Sequence, residues 1–148
     1  MPLLDQLQAE IKTAMLAKNA ERLGTLRLLK SAIGYAQIEK KNESLSDAEI
    51  VAIVQKEVKK RRDSVEQYTT GGRPELAAVE TSEIAILETF LPKQLALEEL
   101  EQLVRATIQE LGATSKKDMG LVMKAVQAKV AGRAEGKTIS GLVGKLLP

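Results

Sequence analysis

Six basic side chains near the end of the chain have the types and spacing that point most directly to a chemistry: Lys116, Lys117, Lys124, Lys129, Arg133 and Lys137. The chemistry is attachment to a polyanion. Residues 112–148 carry seven lysines and arginines against Asp118 and Glu135, net +5, while residues 1–111 are net −3. Clustered cations that neutralise phosphates release condensed counterions, and affinity follows without any reading of sequence. Lys116 and Lys117 fall where a helix is expected to begin, and helix N-termini present oriented amides to anions. Gly132 and Gly136 would let a backbone approach a sugar–phosphate chain. The plainer alternative is that these lysines only solubilise an exposed helix face.

Covalent and acid–base chemistry finds little to use. The chain has no cysteine and no histidine, which removes disulfides, thiolate nucleophiles, the commonest general base and the commonest zinc ligand. The run Gly132-Arg133-Ala134-Glu135-Gly136-Lys137-Thr138 superficially resembles a phosphate-binding loop. Its glycines are four apart rather than five, and no strand precedes it, so it reads as a connection between helices. Glu98-Glu99 opens a helix, where the macrodipole favours acids. Met119 and Met123 share a helical face and read as core rather than as a soft-metal site. Neither a catalytic residue nor a cofactor or metal site is expected.

These residues need elements to hold them, and the elements are helices. Hydrophobic residues make up 44% of the chain but aromatics only 2%, so the core is aliphatic, a mixture better suited to helix-on-helix packing than to strands. The prolines, at 2, 74, 92 and 148, fall at ends and breaks. Leu3, Leu4, Leu7, Ile11 and Met15 form a first stripe at helical spacing, and Asn19 breaks it. Leu23, Leu26, Leu29, Ile33 and Ile38 form a second, ending at Lys40-Lys41-Asn42. Ser46 and Glu49 form a capping box that opens a long third helix, with Ile50, Val51, Val54, Val58, Val65 and Tyr68 inward. Gly71-Gly72 stops it, and Pro74 starts a fourth that Glu80-Thr81-Ser82 could interrupt. Within the third, Lys56, Lys59 and Lys60 share a face, flanked by Glu57, Asp63 and Glu66. That is the pattern of a solvated, ion-paired helix, or of a secondary contact surface.

Beyond Pro92 the helices shorten. Leu100, Leu103, Val104, Ile108 and Leu111 form an amphipathic stripe closed by Gly112. Ser115 and Asp118 form a second capping box. Val122, Val126 and Val130 follow on the next helix, and Thr138 is expected to cap a last one through Ile139, Leu142, Val143 and Leu146. The reading is an all-α chain: an N-terminal helical domain over 1–93, then a small three-helix domain over 94–148. The N-terminus lacks a basic region followed by an apolar run, and no stretch reaches the roughly 20 apolar residues of a membrane span, which sets a cytoplasmic expectation.

Several stretches carry a resemblance. Arg27-Leu28-Leu29-Lys30-Ser31-Ala32-Ile33, the run from Lys56 to Tyr68, Gly71-Gly72-Arg73, and Glu88-Thr89-Phe90-Leu91-Pro92-Lys93-Gln94-Leu95 resemble the YqeY family. Lys117-Asp118-Met119-Gly120, Met123-Lys124-Ala125-Val126 and Gly132 to Lys137 resemble the tail domain of GatB, a subunit of the aminoacyl-tRNA amidotransferase. Together they span nearly the whole chain. Ala96 departs from the family, which often has a capping Ser or Thr there. The resemblance implies two all-α domains, the second a GatB-tail-like three-helix unit that contacts tRNA or another structured RNA. It makes Lys116, Lys117, Lys124, Lys129, Arg133 and Lys137 the implied contacts. It casts Met119, Gly120, Met123 and Val126 as packing, with Gly120 allowing close helix approach. The same resemblance brings another function, carbon–nitrogen ligase activity with glutamine as amide donor, acting as enzyme or accessory subunit. A third reading, apart from the resemblance, is a protein-interaction adaptor without nucleic acid that presents its long second and third helices.

Overall fold

The computed structural model describes residues 2–41 and 43–148; Met1 and Asn42, the latter at the expected end of the second helix, lie outside the described residues. Among the described residues seven α-helices follow one another: α1 (Leu3–Leu16), α2 (Ala20–Glu39), α3 (Asp47–Thr70), α4 (Pro74–Glu88), α5 (Leu97–Leu111), α6 (Met119–Val130) and α7 (Gly136–Leu146), with a 3-10 turn, Lys116–Asp118, before α6. No strand occurs among the described residues. The fold is all-α. Cα packing separates two compact units, Met1–Leu91 and Pro92–Pro148.

In the first unit the helix boundaries follow from local chemistry. The Asn19 side chain accepts from the Arg22 amide at 3.1 Å and opens α2. At α3 the Ser46 hydroxyl accepts from the Glu49 amide (3.2 Å), and the Glu49 carboxylate accepts from the Ser46 amide (3.1 Å). Gly72, at φ +72°, takes the left-handed step that lets the chain leave α3. Pro74 then occupies the first turn of α4, where its missing N–H costs nothing. Glu80, Thr81 and Ser82 do not interrupt α4, which is one continuous helix. The Thr81 hydroxyl donates to the Ala77 carbonyl at 2.9 Å, sharing the acceptor of a helical backbone bond without breaking the helix.

These helices close on one core, in which Leu7, Leu26, Leu29, Ile33, Val54, Val58, Leu87 and Phe90 are buried. Two stripe residues are exposed. Met15 is 51% exposed and Ile38 is 65% exposed. Both sit near the ends of their helices, where the apolar stripe has drifted off the packed face, and Ala14 is buried in place of Met15.

The second unit has its own core, formed by Leu100, Val104, Val122, Val126, Val130, Ile139, Val143 and Leu147 among others. Gly112, at φ +65°, closes α5. Thr138 does not cap α7. The helix begins at Gly136, behind Glu135 in extended conformation, and Thr138 lies inside its first turn. Thr107, fully buried on α5, donates its hydroxyl to the Leu103 carbonyl at 2.7 Å. Among the described residues no buried side-chain polar atom lacks a partner.

Candidate nucleic-acid interface

The second capping box sets the geometry of the basic region. The Ser115 hydroxyl accepts from the Lys117 amide at 3.3 Å, and the Asp118 carboxylate accepts from the amides of Thr114 (3.1 Å) and Ser115 (3.4 Å). The result is a 3-10 turn leading into α6 rather than a fresh helical end. Those amides are therefore already bonded, and the pull on a phosphate at this point has to come from lysine side chains. Lys116 and Lys117 sit on the turn, both exposed. Lys124 follows one heptad after Lys117, and the positions between them on that face, Gly120 and Leu121, are also exposed. None of these three lysines has a described carboxylate within ion-pair distance.

The other three predicted contacts are placed differently. Lys129 lies five residues beyond Lys124, about 140° around the helix. Its ammonium reaches across to α5, 2.6 Å from the Glu110 carboxylate and 3.2 Å from the Thr107 hydroxyl. Arg133 is a fastener in the α6–α7 connection. Its Nε donates to the Lys93 carbonyl at 3.1 Å, and its own carbonyl accepts from the Leu95 amide at 2.8 Å. Beside it, the Gln94 side-chain amide donates to the Gly132 carbonyl at 3.2 Å. The turn itself holds two left-handed residues, Ala131 (φ +47°) and Gly132 (φ +86°). Lys137 is exposed in the first turn of α7.

Gly120 does less than its position suggests. Gly120 faces open space, and a Cβ there would meet nothing within 4 Å, so it serves no close helix approach. Gly136 is equally open. Met119 and Met123 are half-buried against the second core, as packing residues.

The N-terminal basic run is ion-paired at its C-terminal half. Arg61 bridges Glu57 (3.3 Å) and Glu83 of α4 (2.8 Å), and Lys60 lies 3.5 Å from Glu57. Arg62 meets Glu88 at 3.4 Å. The arginine bonds tie α3 to α4, while Lys56 and Lys59 have no described carboxylate within ion-pair distance. Two carboxyls are held below the usual carboxylate range, Glu49 by the Lys40 ammonium and Glu75 by the Arg73 guanidinium. That direction is opposite to the raised pKa a general acid needs. Among the described residues no group of three acids could hold a metal ion.

Sequence reasoning missed one feature. Leu28 and Tyr35 on α2 are 56% and 71% exposed, although they lie among the buried Leu26, Leu29 and Ile33. The signal was their phase: seven apart, and out of step with the buried stripe.

An all-helical chain of two compact units with a basic C-terminal segment defines the class. The chain belongs to the YqeY family: the family model described as Yqey-like protein matches residues 4–147. It is similar to "Altered inheritance of mitochondria protein 41, mitochondrial" of Pyrenophora tritici-repentis, 28% identical over 133 residues, covering 88% of this chain and 72% of that protein. The protein of the same name from Kluyveromyces lactis is 27% identical over 135 residues, covering 91% of this chain and 70% of the relative. An uncharacterised protein of Schizosaccharomyces pombe is 31% identical over 94 residues, covering 61% of this chain and 76% of its own length. The cytoplasmic expectation does not stand against these names, two of which are mitochondrial. Its physical basis was too coarse: among the described residues no helix can cross a membrane, but that holds equally for proteins of any aqueous compartment.

Proposed function

We propose that this chain binds structured RNA, tRNA first, through its C-terminal unit, and that it acts by binding rather than by catalysis. The observation that carries the reading is the lysine trio Lys116, Lys117 and Lys124, exposed and without a described carboxylate partner, in a segment of net +5. Unpaired ammonium groups are the ones that can replace a phosphate's counterions without first breaking an internal bond. The resemblance of the same segment to the tail domain of GatB supports an RNA ligand over other polyanions. In this reading Lys137 adds a contact from α7, while Lys129 and Arg133 hold the elements that present the trio. The scarcity of aromatics favours a folded RNA over a single strand, which needs stacking platforms.

A titration with bulk tRNA, a DNA duplex and a single-stranded RNA at several salt concentrations tests it. The expected result is preference for tRNA and an affinity that falls steeply with salt. Replacing Lys116, Lys117 and Lys124 together by Ala should flatten the log–log salt slope by about 2–3, close to one unit per lost phosphate contact. Equal weak binding to all three ligands, or a slope unchanged in the triple variant, would refute the assignment.

A further inference from the structure

We infer that the groove between α2 and α3 is the seat of an acidic amphipathic helix from a protein partner. This is independent of RNA binding by the C-terminal unit. The groove floor is apolar and built of alternating large and small side chains: Leu28, Ala32, Tyr35 and Ala36 from α2, and Ile53 from α3. It continues past Glu39 toward Leu45 and Ala52. From Leu28 to Lys40, the cap of α2, it runs twelve residue steps, or about 18 Å, which accommodates roughly three turns of a second helix. Leu28 (56% exposed) and Tyr35 (71%) both line the groove, at the seven-residue spacing by which one helix meets another. Singly exposed apolar residues need no explanation; two large ones a heptad apart in one groove do.

Charge selects the occupant. At the Leu28 end the rim is Lys56 and Lys60. Lys56 has no described carboxylate within ion-pair distance, and Lys60 has only Glu57 at 3.5 Å, its own side chain remaining 66% exposed. Glu57 is itself committed to Arg61, so it does not neutralise the rim. At the opposite end Lys40 is taken up by Glu49 at 2.9 Å, and Glu39 is exposed. The groove is thus basic at one end and neutral to acidic at the other. A helix with an acid-rich first turn over Lys56 and Lys60 satisfies both ends, because acids belong at a helix N-terminus.

The test is selection of a displayed library of helix-forming peptides, each of about 14 residues, against the full-length protein. Enriched peptides should carry apolar residues at i, i+3 or i+4, and i+7, with Asp or Glu in the first turn. In fluorescence anisotropy, Leu28→Asp and Tyr35→Ala should each weaken an enriched peptide at least about tenfold, as loss of an interface anchor does. Both residues are exposed, and unchanged circular dichroism would show that the variants fold. Lys56→Glu with Lys60→Glu should weaken the acidic peptide and strengthen its lysine-substituted counterpart. Any of four results would overturn the proposal: no enrichment, enrichment of basic peptides, displacement of the peptide by tRNA, or a dimer in sedimentation that Tyr35→Ala dissolves. The last two would give the groove to nucleic acid or to a second copy of this chain.

Discussion

Arg133 and Lys124 are both cations of the basic segment, and what separates them is the atom each one meets. The Arg133 guanidinium is spent on the Lys93 carbonyl, whereas Lys124 has no described carboxylate partner. Arg133→Ala should therefore lower stability by about 0.5–1.5 kcal/mol, the net worth of an intramolecular hydrogen bond. Lys124→Ala should stay within about 0.5 kcal/mol of the parent, as surface substitutions do. Urea denaturation of the two variants decides this. Equal stabilities would mean that the Arg133 bond does not hold the connection, and would return Arg133 to the pool of free phosphate contacts. The distinction was not legible in the sequence. A side chain bonding a backbone carbonyl forty residues away leaves no local pattern, while its charge is plain to read.

At the scale of elements, the opening of α3 shows what could be read and why. The Ser46–Glu49 box is a local motif with a fixed spacing of three, so the sequence announces it, and both of its bonds form. Its behaviour with pH follows from the Glu49 carboxyl, which the Lys40 ammonium holds below the usual range. A lowered folded-state pKa means stability that is fully present above the ordinary value near 4.5 and lost as pH falls through the folded value. Ser46→Ala should cost about 1 kcal/mol at neutral pH. Glu49→Gln should remove the acid-dependent part, so that the stability gap between parent and variant narrows below pH 4.5. Denaturation midpoints at pH 7 and below 4 test the pair, and a gap constant with pH would exclude the ionic contribution. Apolar stripes were legible over the middle of each helix, glycine marked the stops at Gly72 and Gly112, and proline marked the start at Pro74. Helix ends were harder. Ile38 keeps the apolar period yet lies exposed, and Thr138 has the right side chain for a cap but enters the helix, because Glu135 takes the extended position before it. Propensity names the residues suited to a boundary; which of them becomes the boundary is decided by packing.

For the whole molecule the question is whether local or total charge governs attachment to RNA. The chain is net +2, a weak polycation taken as a whole, yet residues 112–148 are +5 and residues 1–111 are −3. In about 0.1 M salt, exposed charges are screened beyond roughly 10 Å, so a phosphate chain senses the patch beneath it rather than the sum. Two charge-equivalent variants separate the cases. Lys116→Glu, Lys117→Glu and Lys124→Glu together turn the C-terminal segment from +5 to −1. The same three changes at Lys12, Lys18 and Lys30, all exposed, give the protein an identical total charge of −4 while leaving that segment at +5. The first variant should lose tRNA binding and its salt dependence at every ionic strength. The second should keep the parent's salt slope and lose affinity only below about 0.01 M, where screening reaches some 30 Å and distant charge is felt. If both lose binding alike at 0.1 M, total charge drives a non-specific association, and the lysine face at the start of α6 has no privileged role.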